Sequence, residues 1–237
     1  MITPREALAR AGERLEAGTV ILVLLVAGAL WVFLGIADEV REGETAAFDR
    51  WLLLALRDPA DPANPLGPLW LREVGRDLTA LGGVAVLTLL TAAVAAWLAL
   101  RRLWGATWLL LASVGGGILV STLLKLAFER ARPDLVPHGS HVTSASFPSG
   151  HSMMAAVVYL TLGVLLARVE PRRRTKAYVL SVAVILTLLV GVSRVYLGVH
   201  WPTDVLAGWS IGAAWALLCW LVARWLQRRG AVETDED

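Results

Sequence analysis

Six apolar blocks, each close to the length that crosses a bilayer as a helix, constrain this chain more than any other feature. They cover residues 19–37, 81–100, 104–124, 151–167, 177–192 and 205–225. About 20 mainly apolar residues span the roughly 30 Å hydrocarbon core, and in lipid a helix satisfies its own backbone. With 57% hydrophobic residues divided in this way, the chain is expected to be an all-α integral membrane protein. The expected form is six transmembrane helices in a compact bundle, with one or two short interfacial helices. A net charge of +2 gives no reason to expect nucleic acid as a partner. The single cysteine, Cys219, lies inside an apolar block and reads as packing, and no Cys/His spacing resembles a zinc site. The first block is too long for a signal-peptide core and no convincing cleavage site follows it, so it reads as a retained span.

The polar sequence between the blocks sets the organisation. Residues 1–18 mix Arg5, Arg10 and Arg14 with Glu6, Glu13 and Glu16 and read as a cytoplasmic amphipathic segment. Residues 19–226 form the membrane domain, and 227–237 are a polar tail expected to be disordered. The longest polar section, 38–82, holds more acid than base. Within it, 48–56 is apolar but too short to span, which predicts an interfacial helix. Asp77 and Thr79 are natural N-caps for the second span. Gly115, Gly116 and Gly117 in the third span, and Gly208 and Gly212 in the sixth, predict faces where helix backbones approach closely.

Six spans place both termini on one side, together with Arg101, Arg102 and the basic loop 168–176. The acidic section falls on the other side. The excess of Lys and Arg predicts cytoplasmic termini, so the opposite side faces the periplasm or exterior of a bacterial inner membrane.

Three polar segments lie at block ends on that outward side: 125–133, 148–151 and 193–204. Charge at a membrane edge costs free energy unless it is used. Lys125 and Arg132 are seven residues apart, so a continuing helix would turn both cations to nearly the same face before Pro133 ends it. Pro148-Ser149-Gly150-His151 opens the fourth span. Unpaired amides at a helix start bind anions, Ser149 adds a hydroxyl, and Gly150 lets the backbone come close to a ligand. Arg194 supplies a third cation. His200 and Asp204 are four apart, a spacing that lets the carboxylate hold one ring nitrogen and leave the other free to attack.

Together these residues predict a phosphate site. Lys125, Arg132, Arg194, Ser149 and the Gly150 amide would bind the phosphate oxygens and stabilise transition-state charge. His200 would attack phosphorus, Asp204 would orient it, and His151 would protonate the leaving oxygen and then activate water. His138 and His141, in the same outward segment, read as loop residues. Glu129 and Arg130 read as a surface pair, with each other or with neighbours.

The order and spacing of Lys125 with Arg132-Pro133, of Pro148-Ser149-Gly150-His151, and of Ser193-Arg194 with His200 and Asp204 carry a resemblance. They are similar to the tripartite signature of the type 2 phosphatidic acid phosphatase superfamily, over roughly residues 75–225. That superfamily includes membrane lipid phosphatases and soluble vanadium-dependent haloperoxidases. The resemblance implies the same residue roles, a membrane lipid phosphate as substrate, and hydrolysis without a metal or other cofactor. A lipid phosphotransferase using the same phosphohistidine is the rival within this chemistry. A non-enzymatic binder or transporter of anionic lipids is the rival outside it, and it gives no reason for His151 or for His200 with Asp204. Oligomeric state is not legible.

Overall fold

The computed structural model describes residues 4–134 and 145–229. Among them are eight helices: α1 (Pro4–Glu42), α2 (Ala46–Ala55), α3 (Leu69–Ala80), α4 (Val84–Leu100), α5 (Trp104–Phe128), α6 (Gly150–Val169), α7 (Arg173–Tyr196) and α8 (Pro202–Arg228). The protein is an all-helical membrane protein. Five helices are long and apolar enough to cross a bilayer alone; α3 and α4, bent by 45° at their break, reach that length and apolarity only when taken together, as a broken span or a re-entrant loop.

The break differs from the uniform second span expected from the sequence. At 17 residues, α4 is only about 25 Å long, short of the hydrocarbon thickness. Asp77 and Thr79 lie inside α3, and the residue that caps α4 is Gly83, with extended backbone. Gly82 explains the position of the bend. A Cβ there would lie 2.4 Å from Val190 Cγ1 and 3.2 Å from the His151 carbonyl oxygen. The turn therefore presses backbone against the start of α6. The N-terminal segment also differs in form: helix is unbroken from Pro4 to Glu42, with the apolar span beginning at Ala17.

Helix α6 is the centre of the bundle. Of its most apolar stretch 56% is buried, against 17% for α1, which faces outward along most of its length. Ala155, Val158 and Tyr159 of α6 pack with Leu87, Ala183 and Val190. The small-residue faces work inside the chain. A Cβ on Gly212 would come within 2.6 Å of the Met153 carbonyl oxygen, and one on Gly208 within 2.8 Å of the Ser149 carbonyl oxygen, so α8 lies directly on α6. Gly116 is filled by Trp215 and Gly117 by Val157, whereas Gly115 faces open space.

The ends of α5 and α7 and the starts of α6 and α8 meet at one end of the bundle. The α2 helix sits at this end, close to its predicted bounds, but it is docked rather than merely lying at the surface. Its Leu53 is fully buried with Val195 and Val205. Just beyond it, Arg57 is 3% exposed and donates to the carbonyl oxygens of Val195 and Tyr196. That places a cation against the carbonyl end of α7.

Candidate active site

All eight residues expected to act on phosphate lie at this end. The way they are brought together differs in one respect from the sequence reading. Helix α5 stops at Phe128, with Glu129 in the left-handed conformation (φ 42°), and residues 130–133 leave it as irregular chain. Lys125 and Arg132 therefore do not share a helical face, and Pro133 does not terminate the helix. Pro133 has no amide hydrogen and drives Arg132 away from helical backbone, so a further turn through 129–132 would gain little. Arg132 reaches the site from the loop instead. Its Nη1 donates to the Val199 carbonyl oxygen at 2.9 Å and lies 3.1 Å from His200 Nε2.

That contact fixes the state of the histidine. A guanidinium only donates, so Nε2 accepts and carries the lone pair, and the ring proton is on Nδ1. Nδ1 faces Asp204 Oδ2 at a long 3.4 Å and Ser146 Oγ at 3.3 Å. His200 is 1% exposed. Burial, helped by Arg194 and Arg132 and opposed by Asp204, draws its pKa down to about 4. The imidazole is therefore neutral at pH 7, and its unprotonated nitrogen points at the Arg132 guanidinium.

Asp204 is fully buried and fully used. Its Oδ2 accepts from the Trp201 amide at 3.0 Å and from the Ser146 hydroxyl, and its Oδ1 accepts from Arg130 at 2.7 Å. As the third residue of α8 it also tends the positive end of that helix, which Pro202 begins. Its backbone carbonyl oxygen accepts from the Ser149 amide at 2.9 Å. The second and third polar segments are thus joined directly.

Ser149 is the N-cap of α6. Its Oγ accepts from Ser152 Oγ at 3.0 Å and from the Ser152 amide at 3.5 Å, which leaves its own hydroxyl proton to donate. A methyl on Gly150 would sit 3.5 Å from Lys125 Nζ, so the glycine keeps open the space beside that ammonium. Lys125 Nζ itself lies 3.5 Å from the Ala145 carbonyl oxygen. Arg194 is held by Thr79 Oγ1 at 3.0 Å, and its buried Nε has no hydrogen-bond partner among the described residues. His151, in the first turn of α6, interacts electrostatically with Arg194, His200, Lys125 and Arg132. Burial draws the Arg132 pKa down from its ordinary value, against the pull of Asp204. Three desolvated cations, a helix start and two imidazoles, one with an unprotonated nitrogen held by Arg132, thus lie close together at this end.

The sequence reading missed four participants. Arg130 is not a surface residue paired with Glu129: its guanidinium bridges the buried carboxylates of Asp49, at 2.6 Å, and Asp204. Ser146 holds Asp204, and Thr79 holds Arg194. The available signals were an acid inside the short apolar helix, at Asp49, and a second arginine two residues before Arg132. His138 and His141 lie outside the described residues, as does the tail from residue 230. Among the described residues, no group of three or more His, Cys, Asp or Glu side chains is arranged to hold a metal ion.

Comparison with known proteins adds an independent observation. A family model described as PAP2 superfamily matches residues 106–228, just over half of the chain. Phosphatidylglycerophosphatase B of Bacillus subtilis is 42% identical over 145 residues, covering 60% of this chain and 70% of the relative. Lipid A 1-phosphatase of Rhizobium johnstonii is 34% identical over 128 residues, which is 50% of this chain and 48% of the relative. The crystal structure of a transmembrane PAP2 type phosphatidylglycerolphosphate phosphatase from Bacillus subtilis superposes with a TM-score of 0.74 at 33% identity. It covers 86% of this chain and 98% of that one.

Proposed function

Since this chain belongs to the PAP2 superfamily and is an enzyme of its membrane lipid-phosphatase kind, we propose that it hydrolyses a lipid phosphate monoester or diphosphate through a phosphohistidine on His200. The observation that carries the reading is the neutral His200 ring, with Nδ1–H toward Asp204 and the Nε2 lone pair toward Arg132. An anion binder needs the cations but has no use for that tautomer.

Lys125, Arg132 and Arg194 bind the phosphate oxygens, with the Ser149 hydroxyl and the Gly150 amide. Binding draws Arg132 onto phosphate and frees Nε2. Nε2 attacks phosphorus in line, the bond from phosphorus to the lipid oxygen breaks, and His151 delivers a proton to that oxygen. The ring of the phosphohistidine is cationic while Nδ1 keeps its proton, and Asp204 stabilises it. In the second half His151 takes a proton from water, the water oxygen attacks phosphorus, and the phosphorus–nitrogen bond breaks. Phosphate leaves and His200 is neutral again. No step is assigned to a metal.

Phosphatidylglycerol phosphate, phosphatidic acid and undecaprenyl diphosphate are the substrate classes in view. The names of the Bacillus subtilis relatives favour the first. The reaction takes place at the outer membrane–water interface of a bacterial inner membrane, with the termini in the cytoplasm. The cations at the far end, Arg101, Arg102, Arg168, Arg172, Arg173, Arg174 and Lys176, support that orientation. A cysteine placed at residue 172, in a Cys219→Ala background, should react with a membrane-impermeant maleimide only in opened cells. Labelling in intact cells reverses the topology.

The deciding assay is phosphate release from each lipid by pure protein in detergent with excess chelator. Release that survives chelator and disappears in His200→Ala is expected. Release by His200→Ala at the normal rate would overturn the nucleophile. Release that appears only with an acceptor lipid would make the enzyme a phosphotransferase.

A further inference from the structure

We propose that Asp49 and Arg130 are positioning residues that set the charge on Asp204, and through Asp204 the ability of His200 to become cationic; this rests on the phosphohistidine reading above. Asp49 lies on α2, outside the three polar segments and outside the stretch matched by the family model. It is 1% exposed and its oxygens are occupied. Oδ1 accepts from the Thr203 amide at 2.9 Å, and Oδ2 accepts from Thr203 Oγ1 at 2.7 Å and from Arg130 Nη2 at 2.6 Å. Arg130 Nη2 also reaches Thr45 Oγ1 at 3.2 Å. Its Nη1 reaches Thr203 Oγ1 at 2.9 Å and Asp204 Oδ1 at 2.7 Å, and the guanidinium lies 5.8 Å from the centre of the Trp201 ring. One unbroken chain of contacts therefore runs Asp49–Arg130–Asp204–His200.

The signs along it matter. Lys125, Arg132 and Arg194 face the phosphate and are neutralised when it binds. Arg130 spends its donors on Asp49, Thr45, Thr203 and Asp204, so bound phosphate does not offset its charge, and Asp49 does. Asp49, Arg130 and Asp204 together carry one net negative charge beside a neutral imidazole. They become neutral as a group with the ring once Nε2 bonds to phosphorus and the ring turns cationic. Without the Asp49 charge, Arg130 alone would cancel Asp204, and the cationic ring would form with no net counter-charge in a desolvated place. Charges act strongly there.

A purely structural role is the alternative, since Asp49 also fastens α2 to the first turn of α8. The double variant with Arg130 separates the two: Asp49→Asn keeps an acceptor for the Thr203 amide but removes the charge together with the two bonds that Oδ2 accepts. Asp49→Asn is expected to lower kcat on the order of 10- to 100-fold, with KM within about threefold and a lowered unfolding midpoint in detergent, because a buried charged pair is broken. Adding Arg130→Gln removes the opposing cation, and the double variant should recover at least about tenfold of the lost kcat. Thr203→Val leaves every charge in place and should lower kcat by no more than about threefold.

Normal kcat in Asp49→Asn overturns the proposal, as does a loss confined to KM. A kcat loss in Thr203→Val as large as in Asp49→Asn, or a double variant no faster than the single, assigns Asp49 to packing alone and also overturns it. His200→Ala run beside these variants keeps the two readings apart. If it stays active, the phosphohistidine reading fails. If it is inactive while Asp49→Asn is normal, only the present proposal fails.

Discussion

The two ends of this bundle both carry cations, and they hold them in opposite ways. At the far end, Arg101, Arg168 and Arg229 lie over the rings of Trp97, Trp220 and Trp225, at 5.6, 5.6 and 4.0 Å. Arg101 and Arg229 are exposed, so each such contact is worth about 0.5–1 kcal/mol. At the site end, Arg57, Arg130 and Arg132 are aimed by carbonyl oxygens, carboxylates or a ring nitrogen, and Arg194 by a threonine hydroxyl. Breaking one partner of a buried charged pair costs on the order of 3–5 kcal/mol. Charge alone therefore does not mark a site at a membrane edge. Directed donors with capacity left over do, and the unpartnered Arg194 Nε is an example.

The contrast breaks first at His200, the proposed nucleophile. His200→Ala should reduce kcat on the order of 10⁴-fold or more, measured as phosphate release, with the helical signal intact. Residual activity near normal would mean that the directed cations do not serve His200.

Two substitutions that touch no charge test whether spacing matters at the site end alone. Gly208→Ala would set a methyl 2.8 Å from the Ser149 carbonyl oxygen and 3.0 Å from Ser152 Cβ. It must move the start of α8 off α6, and a displacement of about 1 Å at a catalytic group can cost roughly 100-fold. Gly115→Ala meets open space and should leave turnover as it is, while favouring the helix by up to about 1 kcal/mol. Equal effects of the two on kcat would erase the distinction.

Arg132→Lys keeps charge and loses the planar fork, and should lower kcat/KM by about 100-fold. Arg168→Lys at the far end should leave kcat/KM within about twofold. Thr79→Val, which removes the support of Arg194, should raise KM by about three- to tenfold.

The pH profile gives the smallest effect and a sharp sign. An ordinary histidine titrates near 6.5, whereas His200 is drawn to about 4. Its neutral, nucleophilic form should persist below pH 5, so kcat/KM should show no acid limb at 6.5 from this residue. Between about 6.5 and about 4 the unfolded chain binds the proton more readily. The stability linked to this group is therefore complete above 6.5 and is lost as pH falls through 4. Unfolding midpoints of the native protein and His200→Gln should converge on acidification.

Most of this architecture was legible in the sequence, because membrane helices declare themselves by length and hydropathy and the three polar segments declare themselves by position. What was not legible has common causes. Two arginines at 130 and 132 look interchangeable until the chain is seen to leave helix at Glu129, which turns Arg132 to His200 Nε2 and Arg130 to Asp49 and Asp204. Asp49 reaches across 154 residues to Thr203, and no local pattern encodes that. The broken second span hides because hydropathy reads composition, whereas Gly82 is there to fit against Val190 and the His151 backbone.

The hydrogen bond from the Ser149 amide to the Asp204 carbonyl oxygen has a consequence for how this enzyme tolerates change. It ties the start of the helix bearing His151 to the first turn of α8, just after His200, by main chain alone. Ordinary side-chain variation cannot delete it, and proline at 149 is the one residue that would remove its donor. Substitutions in the loops and on lipid-facing surfaces therefore leave this link between the two helix starts in place. The main chain thus sets the interval between the two histidines, like the fixed jaws of a gauge whose handle may be recut.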